Sequence, residues 1–259
     1  MKKLLFASDI DNTLMFSHRH KADTDICIEY LDGKEQGFVT KDTPHRLAEI
    51  NAQCEFVPIT TRSIAQYTRI HWPRGCVSRY AVAANGGVLL VDGQADEAWL
   101  RQSRELVAPW LEELERVQNS LAGKSEIRNM YLVDGLFLFA GCHKAEEAEQ
   151  LREQYLEKTA LDVELTGRKV YFFPPALNKG AALQRLRERL GSEYIVCAGD
   201  SKIDIPMLRE ADAAITPHGL TLGEYERKWY VHDGQNRFSD FVLACVTKEM
   251  IRYYGEADI

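Results

Sequence analysis

The amino-acid sequence predicts an α/β protein whose core is a doubly wound, Rossmann-like parallel sheet. Short apolar runs recur along the chain, most of them end in polar residues, and helical patterns follow several of them. Buried parallel strands have this appearance, and strands that alternate with helices indicate a parallel sheet. The middle of the chain instead alternates helices with hairpins. That change of pattern predicts an inserted α+β unit between two halves of the core.

The first part of the chain supplies the opening strands of the sheet. Two β-prone runs flank Asp32-Gly33, which is a hairpin signal, and this hairpin is expected to project beside the end of the first strand. Thr43-Pro44 marks a helix start, with Thr43 as N-cap and the proline at the first helical position. The predicted elements are the strand 4–7, the hairpin 27–31 and 37–40, the helix 43–52, and the strands 56–59 and 81–84.

The middle part of the chain reads as helix, hairpin, helix and hairpin. Apolar residues at helical spacing predict a long helix, and Asp134-Gly135 and Gly167 predict the two hairpin turns. The predicted elements are the strand 88–91, the helix 97–121, the hairpin 127–133 and 136–140, the helix 144–158, and the hairpin 163–165 and 169–173. We assign residues 88–175 to an inserted domain, and residues 1–87 and 176–259 to the core.

The α/β pattern resumes after Pro174-Pro175. Asn178 is a predicted N-cap and Gly191 a predicted helix end, which together delimit a helix over 179–190. The strands expected after this helix are 194–198, 213–216 and 229–232.

Composition excludes several classes of protein. The net charge of −7 over 259 residues, without a basic block, argues against a nucleic-acid binder. No stretch approaches the length of a membrane span, and aspartates interrupt the N-terminal apolar run too early for a signal peptide. The six cysteines are scattered and several lie among apolar residues. We therefore expect reduced, buried thiols and a cytoplasmic location.

The most informative stretch follows the first strand. Asp9 and Asp11 are two residues apart at the carboxyl end of a buried strand, where open α/β sheets bind ligands. Two carboxylates in one pocket repel each other unless a cation or a shared proton relieves them. A hard divalent ion such as Mg²⁺ is a natural partner. The alternative is that the two aspartates only cap a turn.

Three other groups of polar residues lie at the ends of strands or the start of a helix. Thr60 and Thr61 follow the second core strand, Lys179 begins a helix, and Asp200 and Asp204 follow a later strand. In isolation each has a simpler explanation. The threonines and aspartates could cap helices, and the lysine could be one of many surface lysines.

In this order, the four groups resemble the motifs of the haloacid dehalogenase-like (HAD) superfamily of phosphotransferases. Asp9-Ile10-Asp11-Asn12-Thr13 is similar to its first motif, Thr60 to its second, Lys179 to its third, and Asp200 with Asp204 to its fourth. The inserted domain resembles a C2-type cap. Its order of elements is similar to that in sucrose-phosphate phosphatases, trehalose-phosphate phosphatases and Cof-like hydrolases.

The resemblance implies a phosphatase that acts through an aspartyl-phosphate. Asp9 would be the nucleophile, and Asp11 would protonate the leaving oxygen and then activate water. Mg²⁺ would be held by Asp9, by Asp11 through its backbone carbonyl, and by Asp200. Thr60 and Lys179 would bind the phosphate.

Three residues have supporting roles by the same resemblance, and two positions depart from the family's pattern. Asp204 would orient Lys179 or a metal-bound water, and Asn85 and Ser201 are further supporting candidates. Many relatives have glycine where this chain has Thr61, so either threonine could bind the phosphate. Asn12 replaces a frequent glycine, but asparagine tolerates the left-handed backbone.

Substrate identity is open at this stage. The partner expected is a phosphorylated small molecule, such as a sugar phosphate, bound by a monomer or a homodimer. The side chains could meet a sugar, a carboxylate or a second phosphate, or they could be solvated strand positions. The candidates for substrate recognition are Arg62, Arg128, Asn129, Arg168, Lys169 and Tyr171.

Other activities compete with phosphatase activity. Dehalogenation needs no general acid two residues after the nucleophile, so Asp11 argues against it. A phosphomutase would use the same aspartyl-phosphate chemistry. A non-catalytic phosphate sensor would also combine an acidic pocket with threonine and lysine, but it would not need the inserted domain.

Overall fold

The computed structural model describes residues 3–256. Fifteen strands form the sheets within this range. The ends of the predicted core, residues 1–2 and 257–259, lie outside that range. The strands are β1 (Leu4–Ser8), β2 (Phe16–Ser17), β3 (Ile26–Leu31), β4 (Lys34–Val39), β5 (Glu55–Pro58), β6 (Tyr80–Ala83), β7 (Val88–Val91), β8 (Gln94–Ala95), β9 (Ile127–Val133), β10 (Phe137–Cys142), β11 (Asp162–Thr166), β12 (Lys169–Phe173), β13 (Tyr194–Ala198), β14 (Ala213–Thr216) and β15 (Lys228–Val231).

Eight α-helices accompany these strands within the described range. The helix predicted over 97–121 is divided, because Pro109 has no N–H to donate and a 3₁₀ turn forms around it. The long C-terminal helix was not among the predicted elements. The helices are α1 (Thr43–Gln53), α2 (Ile64–Tyr67), α3 (Glu97–Val107), α4 (Leu111–Leu121), α5 (Ala145–Leu156), α6 (Lys179–Leu190), α7 (Ile205–Glu210) and α8 (Phe238–Glu256).

A five-stranded parallel sheet forms the central layer, in the order β15-β14-β13-β1-β5. Alternate side chains of a strand point to opposite faces. Leu4 and Phe6 therefore pack with α1 and α8 on one face, while Leu5 and Ala7 pack with α6 and α7 on the other. Helices cover both faces of the sheet, which confirms the predicted α/β class.

A small antiparallel sheet, β6-β7-β8, continues this layer beyond β5. A single parallel bridge between Ile59 and Val82 joins it to the central sheet. The predicted boundary at residue 88 thus falls between two strands that hydrogen-bond to each other, β6 and β7.

The inserted residues form a second sheet, which we call the inserted sheet (β9, β10, β11 and β12). Its strands are antiparallel in the order β11-β12-β10-β9. The face carrying Phe172 packs on α5, where the Phe172 and Tyr155 rings meet edge to face at 5.4 Å. The opposite face carries Tyr131, Phe139 and Tyr171, whose rings contact one another in sequence.

Helix α3 is fastened to the core and not to the inserted sheet alone. The Trp99 indole N–H donates to the carbonyl of Gly86 at 3.0 Å. The guanidinium of Arg185, on α6, lies 3.6 Å from the Trp99 ring centre and donates to the Trp99 carbonyl. Asp96 and Arg189 add an ion pair at 2.6 Å beside it. These contacts hold the first helix of the insertion against α6.

A third, three-stranded sheet lies between β1 and α1 in the chain, and we call it the front sheet (β2, β3 and β4). It contains the predicted hairpin, with the short strand β2 added beside β4. The backbone of β3 is tied to the core, since the His71 N–H donates to the Ile28 carbonyl at 2.7 Å and Glu29 forms a bridge with Ile70. No helix in the described range is both long and apolar enough to cross a membrane.

The C-terminal helix is anchored by a buried carboxylate. Glu249 is 1% exposed and accepts hydrogen bonds from Lys228 Nζ at 2.8 and 2.9 Å, from Tyr194 at 2.7 Å and from Tyr230. Burial alone would raise the pKa of Glu249, but these donors outweigh burial and lower the pKa below its usual value near 4.5.

Replacing this carboxylate should therefore destabilise the protein in a pH-dependent way. We expect Glu249→Gln to lower the free energy of unfolding by about 1.5–3 kcal/mol at neutral pH, because hydrogen bonds to a charged group are lost. A lowered folded-state pKa means that the contribution is complete above about pH 4.5 and is lost as the pH falls through the folded-state value. Urea denaturation at pH 7 and at low pH measures the difference. Glu105→Gln, an exposed change on α3, is the control. Equal stability of Glu249→Gln and wild type at pH 7 would show that the carboxylate does not anchor α8.

Candidate active site

The carboxyl ends of the parallel strands converge on one cavity of about 330 Å³. Asp9 follows β1 and Asp200 follows β13, while Lys179 begins α6 beside them. The inserted sheet and the front sheet complete the walls. The predicted site residues that line the cavity are Asp9, Asp11, Thr61, Arg62, Lys169, Tyr171, Lys179, Asp200 and Ser201.

Lys179 is a buried cation at the centre of the site. Its residue is 1% exposed, and its Nζ donates to Asp9 Oδ1 and to Asp204 Oδ1, both at 2.6 Å. Burial alone would lower the pKa of Lys179, but Asp204 and Asp9 outweigh burial and raise it above its ordinary value. The side chain of Asn178 caps the same helix by accepting from the Ala181 N–H at 2.9 Å. Lys179 is therefore a charged ammonium held in a fixed position.

Asp204 uses both of its carboxylate oxygens for internal contacts. Oδ1 accepts from Lys179, and Oδ2 accepts from the Asp200 N–H at 3.1 Å and from the Ser201 N–H and hydroxyl at 3.0 Å. A Cβ on Gly199 would lie 2.4 Å from the Asp204 Cβ, so glycine is required for the loop to close over this side chain. Asp204 therefore fixes the positions of both Lys179 and the loop that carries Asp200.

Asp9, Asp200 and Asp204 form the acidic cluster of the site. One carboxylate oxygen from each lies within 4.8 Å of the others. Burial raises the pKa of Asp9, although Lys179 opposes this shift. Burial and the neighbouring Asp204 raise the pKa of Asp200 to about 7. Burial and mutual repulsion thus disfavour the charged forms of Asp9 and Asp200, and a hard divalent cation bound by their oxygens would relieve both effects.

The side chain of Asp11 lies outside this cluster and turns toward Arg62. Arg62 Nε donates to Asp11 Oδ2 at 2.7 Å, and Nη2 donates to Oδ1 at 2.8 Å. Burial acts to raise the pKa of Asp11, but the charge and hydrogen bonds of Arg62 outweigh it and lower the pKa. Arg62 was predicted to contact substrate, and in this structure it holds a carboxylate of the first motif.

Thr60 lies behind the cavity, whereas Thr61 lines it. The Thr60 hydroxyl accepts from the Arg62 N–H at 3.2 Å, and its carbonyl accepts from the Asn85 N–H at 2.9 Å. Asn85 is in the left-handed region with φ of 55°, and its side-chain amide donates to the Leu177 carbonyl at 3.0 Å. Asn85 thereby links the loop after β5 to the segment that precedes Lys179.

The inserted sheet contributes only some of its predicted recognition residues to the cavity. Lys169 and Tyr171 share one strand face and line it together with Thr166. Arg128, Asn129 and Arg168 do not line it. The Arg128 side chain donates to Asn129, and that of Arg168 donates to the His143 carbonyl.

Sequence reasoning missed the residues that the front sheet supplies. Phe16, Gln36 and Glu29 line the cavity, as does Met15 just before β2, and Glu29 is 3% exposed. Register shifts flank Glu29 on β3 and direct it inward beside its buried neighbour Ile28. Such irregularities leave no local signal, so only the predicted placement of the hairpin beside the site could have pointed to this wall.

Comparisons with known proteins agree with this architecture. The family model for haloacid dehalogenase-like hydrolases matches residues 115–216. No curated protein matches the chain in sequence.

Solved structures extend the likeness to nearly the whole chain. A sucrose-phosphatase from Synechocystis, determined with sucrose and phosphate, has a TM-score of 0.65 at 17% identity, covering 95% of this chain and 99% of that one. A trehalose-6-phosphate phosphatase related protein has a TM-score of 0.58 at 14% identity, covering 98% and 99%. A haloacid dehalogenase-like hydrolase from B. subtilis has 0.57 at 17% identity, covering 93% and 99%. At these identities the likeness shows a shared fold.

The family match, the shared fold and the order of the four motifs agree with one another. Over residues 115–216 the chain is similar to the haloacid dehalogenase-like hydrolases, as the sequence predicts, and over nearly its whole length it shares the fold of the phosphatases and the hydrolase named above.

Proposed function

We propose that this protein is a Mg²⁺-dependent phosphatase that hydrolyses a small phosphorylated metabolite through an aspartyl-phosphate. The observation that carries the proposal is the state of Asp9. Its Oδ1 accepts from the buried Lys179, and no described residue donates to its Oδ2. Asp9 lines the cavity and is 7% exposed, so one oxygen remains available for attack on a phosphorus atom.

Lys179 supports this role in two ways. Its ammonium fixes the orientation of Asp9 and lies where negative charge collects on a transferring phosphoryl group. Its position at the start of α6 adds the positive end of a helix dipole. Thr61, which lines the cavity, is the better placed of the two threonines to donate to the phosphate.

Asp11 is the proposed acid and base of the two steps. It lies two residues after Asp9 on the same loop and lines the same cavity. We assign it the protonation of the leaving oxygen and then the deprotonation of the attacking water. Arg62 holds both of its oxygens and lowers its pKa, so Asp11 is oriented before substrate arrives and must take up a proton before it can act as the acid.

The metal assignment is supported by the donor set. Asp9 and Asp200 are the proposed side-chain ligands, with the Asp11 backbone carbonyl as the third, because Asp204 already uses both oxygens within the protein. When bound, Mg²⁺ would neutralise charge on the phosphoryl oxygens.

The lining of the cavity supports a neutral, hydroxyl-rich leaving group such as a sugar. Four acidic side chains and four basic ones line it, so their formal charges cancel, and Mg²⁺ cancels a phosphate dianion. A second anionic group would then lack a counter-charge. The sucrose-phosphatase noted above binds a sugar and phosphate in the same fold. The eight charged residues are Asp9, Asp11, Glu29, Asp200, Arg62, Arg69, Lys169 and Lys179.

We further propose that residues 88–175 act as the cap, with Lys169 and Tyr171 facing the leaving group.

A panel of phosphorylated metabolites with and without metal tests the reaction. Phosphate release should stop in EDTA and return with added Mg²⁺. Mg²⁺ should also raise the melting temperature of the wild type, since a ligand at about 100 times its Kd stabilises a protein by about 2.7 kcal/mol. Asp200→Asn should lose this gain. Full activity in metal-free buffer would refute the metal assignment.

The two carboxylates of the first motif should differ in a phosphoenzyme trap. Asp11→Asn keeps the nucleophile but loses a proton donor and base, which are typically worth about 10²–10⁴-fold. An acyl or aryl phosphate needs little protonation, so phosphorylation should proceed while hydrolysis stalls. We expect acid-quenched Asp11→Asn protein to carry phosphate on Asp9, and Asp9→Asn protein to carry none. Mass spectrometry locates the phosphate, and label retained in Asp9→Asn would reverse these roles.

A further inference from the structure

Glu29 is a buried carboxylate of the front sheet that faces the active site. Its side chain is 4% exposed, and it lies in the cavity wall across from Asp11. Burying a carboxylate is costly unless cations compensate for it. The compensation comes from Arg62 in the loop that follows β5 and from Arg69 in the turn that follows α2. Arg62 binds Glu29 through two nitrogens, and Arg69 approaches Oε1 at 3.3 Å.

Arg62 is shared between Glu29 and Asp11. Nη1 donates to Glu29 Oε1 at 2.7 Å and Nη2 donates to Oε2 at 2.9 Å, while Nε and Nη2 bind the two oxygens of Asp11. The guanidinium is planar and rigid, so the two carboxylates fix its plane from two adjacent edges that share Nη2. Its side chain is 13% exposed and that of Glu29 is 4% exposed, so water competes little for the bonds between them, whereas the Asp11 side chain is 43% exposed.

The backbone holds Glu29 firmly enough to serve as an anchor. β3 is bridged to Ile70, and its partner strand has glycine at position 37, opposite Glu29. A Cβ on Gly37 would lie 2.5 Å from Met15 Sδ and 3.1 Å from Glu29 Cβ. The close approach of these strands therefore depends on glycine, and it packs Glu29 against the loop that carries Asp11.

We propose that Glu29 is a positioning residue for Asp11, which it orients through Arg62. The front sheet would then set the direction of the acid and base of the reaction, in addition to forming a wall. Without Glu29, Arg62 keeps a single carboxylate partner and regains rotamer freedom, and Asp11 loses its fixed direction. The kinetic consequence of this inference rests on the proposed phosphatase function. The contacts between Glu29, Arg62 and Asp11 do not depend on it.

The kinetic test compares substrates with poor and good leaving groups. In Glu29→Ala we expect kcat/KM for an alkyl phosphate to fall about 10–100-fold, which is the cost of a misplaced catalytic group. For an aryl phosphate, which needs little protonation, we expect less than about a threefold change in kcat/KM. Glu35→Ala is the matched control, since Glu35 is an exposed glutamate on β4 of the same sheet. It should behave as wild type with both substrates.

A double-mutant cycle separates positioning from general damage. If Glu29 acts through Asp11, adding Glu29→Ala to Asp11→Asn should cost less than about a further twofold. An equal loss for both leaving groups, or full additivity with Asp11→Asn, would overturn the proposal. Glu29→Gln keeps the shape of the side chain and should give an intermediate loss for the alkyl phosphate, and it replaces Glu29→Ala if that variant fails to fold.

A measurement without substrate keeps this inference distinct from the proposed function. In the wild type, the Nε–H of Arg62 should give an arginine NMR signal that exchanges slowly with water, identified by its loss in Arg62→Lys. The signal should broaden or disappear in Glu29→Gln and persist in Glu35→Ala. A signal that is unchanged in Glu29→Gln would overturn the proposal, even if no substrate were ever turned over. A chain that shows the signal change but hydrolyses no phosphate would instead refute the phosphatase assignment.

Discussion

The structure depends on one buried ammonium held between two carboxylates. Lys179 and Asp204 are almost inaccessible to water, and Asp9 is nearly so. Removing Lys179 would leave two buried carboxylates without their cation, which costs about 3–5 kcal/mol. The trio joins the end of β1, the start of α6 and the loop after β13, which are distant in sequence. Its electrostatic requirement therefore sets the relative positions of the elements from which the site is built.

Much of this arrangement could be predicted from the sequence, because its signals are local. Polar residues after apolar runs marked the sheet edge, and Asn178 marked the start of the helix that carries Lys179. Pro109 was a local signal too, but the apolar periodicity on both sides of it concealed the break. What could not be predicted depends on pairing across the chain. Arg62 lies between Asp11 and Glu29 only because the front sheet returns to the loop after β5.

The cavity separates two tasks between different parts of the chain. The parallel sheet supplies the charged groups of the proposed chemistry, and these are tied to one another by short hydrogen bonds. The walls come from two insertions, one after β1 and the other after β8. Changes in the inserted sheet can alter what fits beside Asp11 without touching the Lys179 trio. The front sheet has less freedom, because Glu29 connects it to Arg62.

The contacts of Trp99 determine where the insertion can bend. A movement of the insertion that included α3 would have to break the hydrogen bond from the Trp99 indole N–H to the Gly86 carbonyl. It would also have to separate the Trp99 ring from the guanidinium of Arg185, which lies on α6, the helix that begins with Lys179. In mechanical terms α3 belongs with the core. The first break in regular helix after it is the 3₁₀ turn at Ala108–Trp110, where the chain can bend. If the proposed cap moves, the moving part would begin at α4, and its displacement would not have to break the contacts of Lys179.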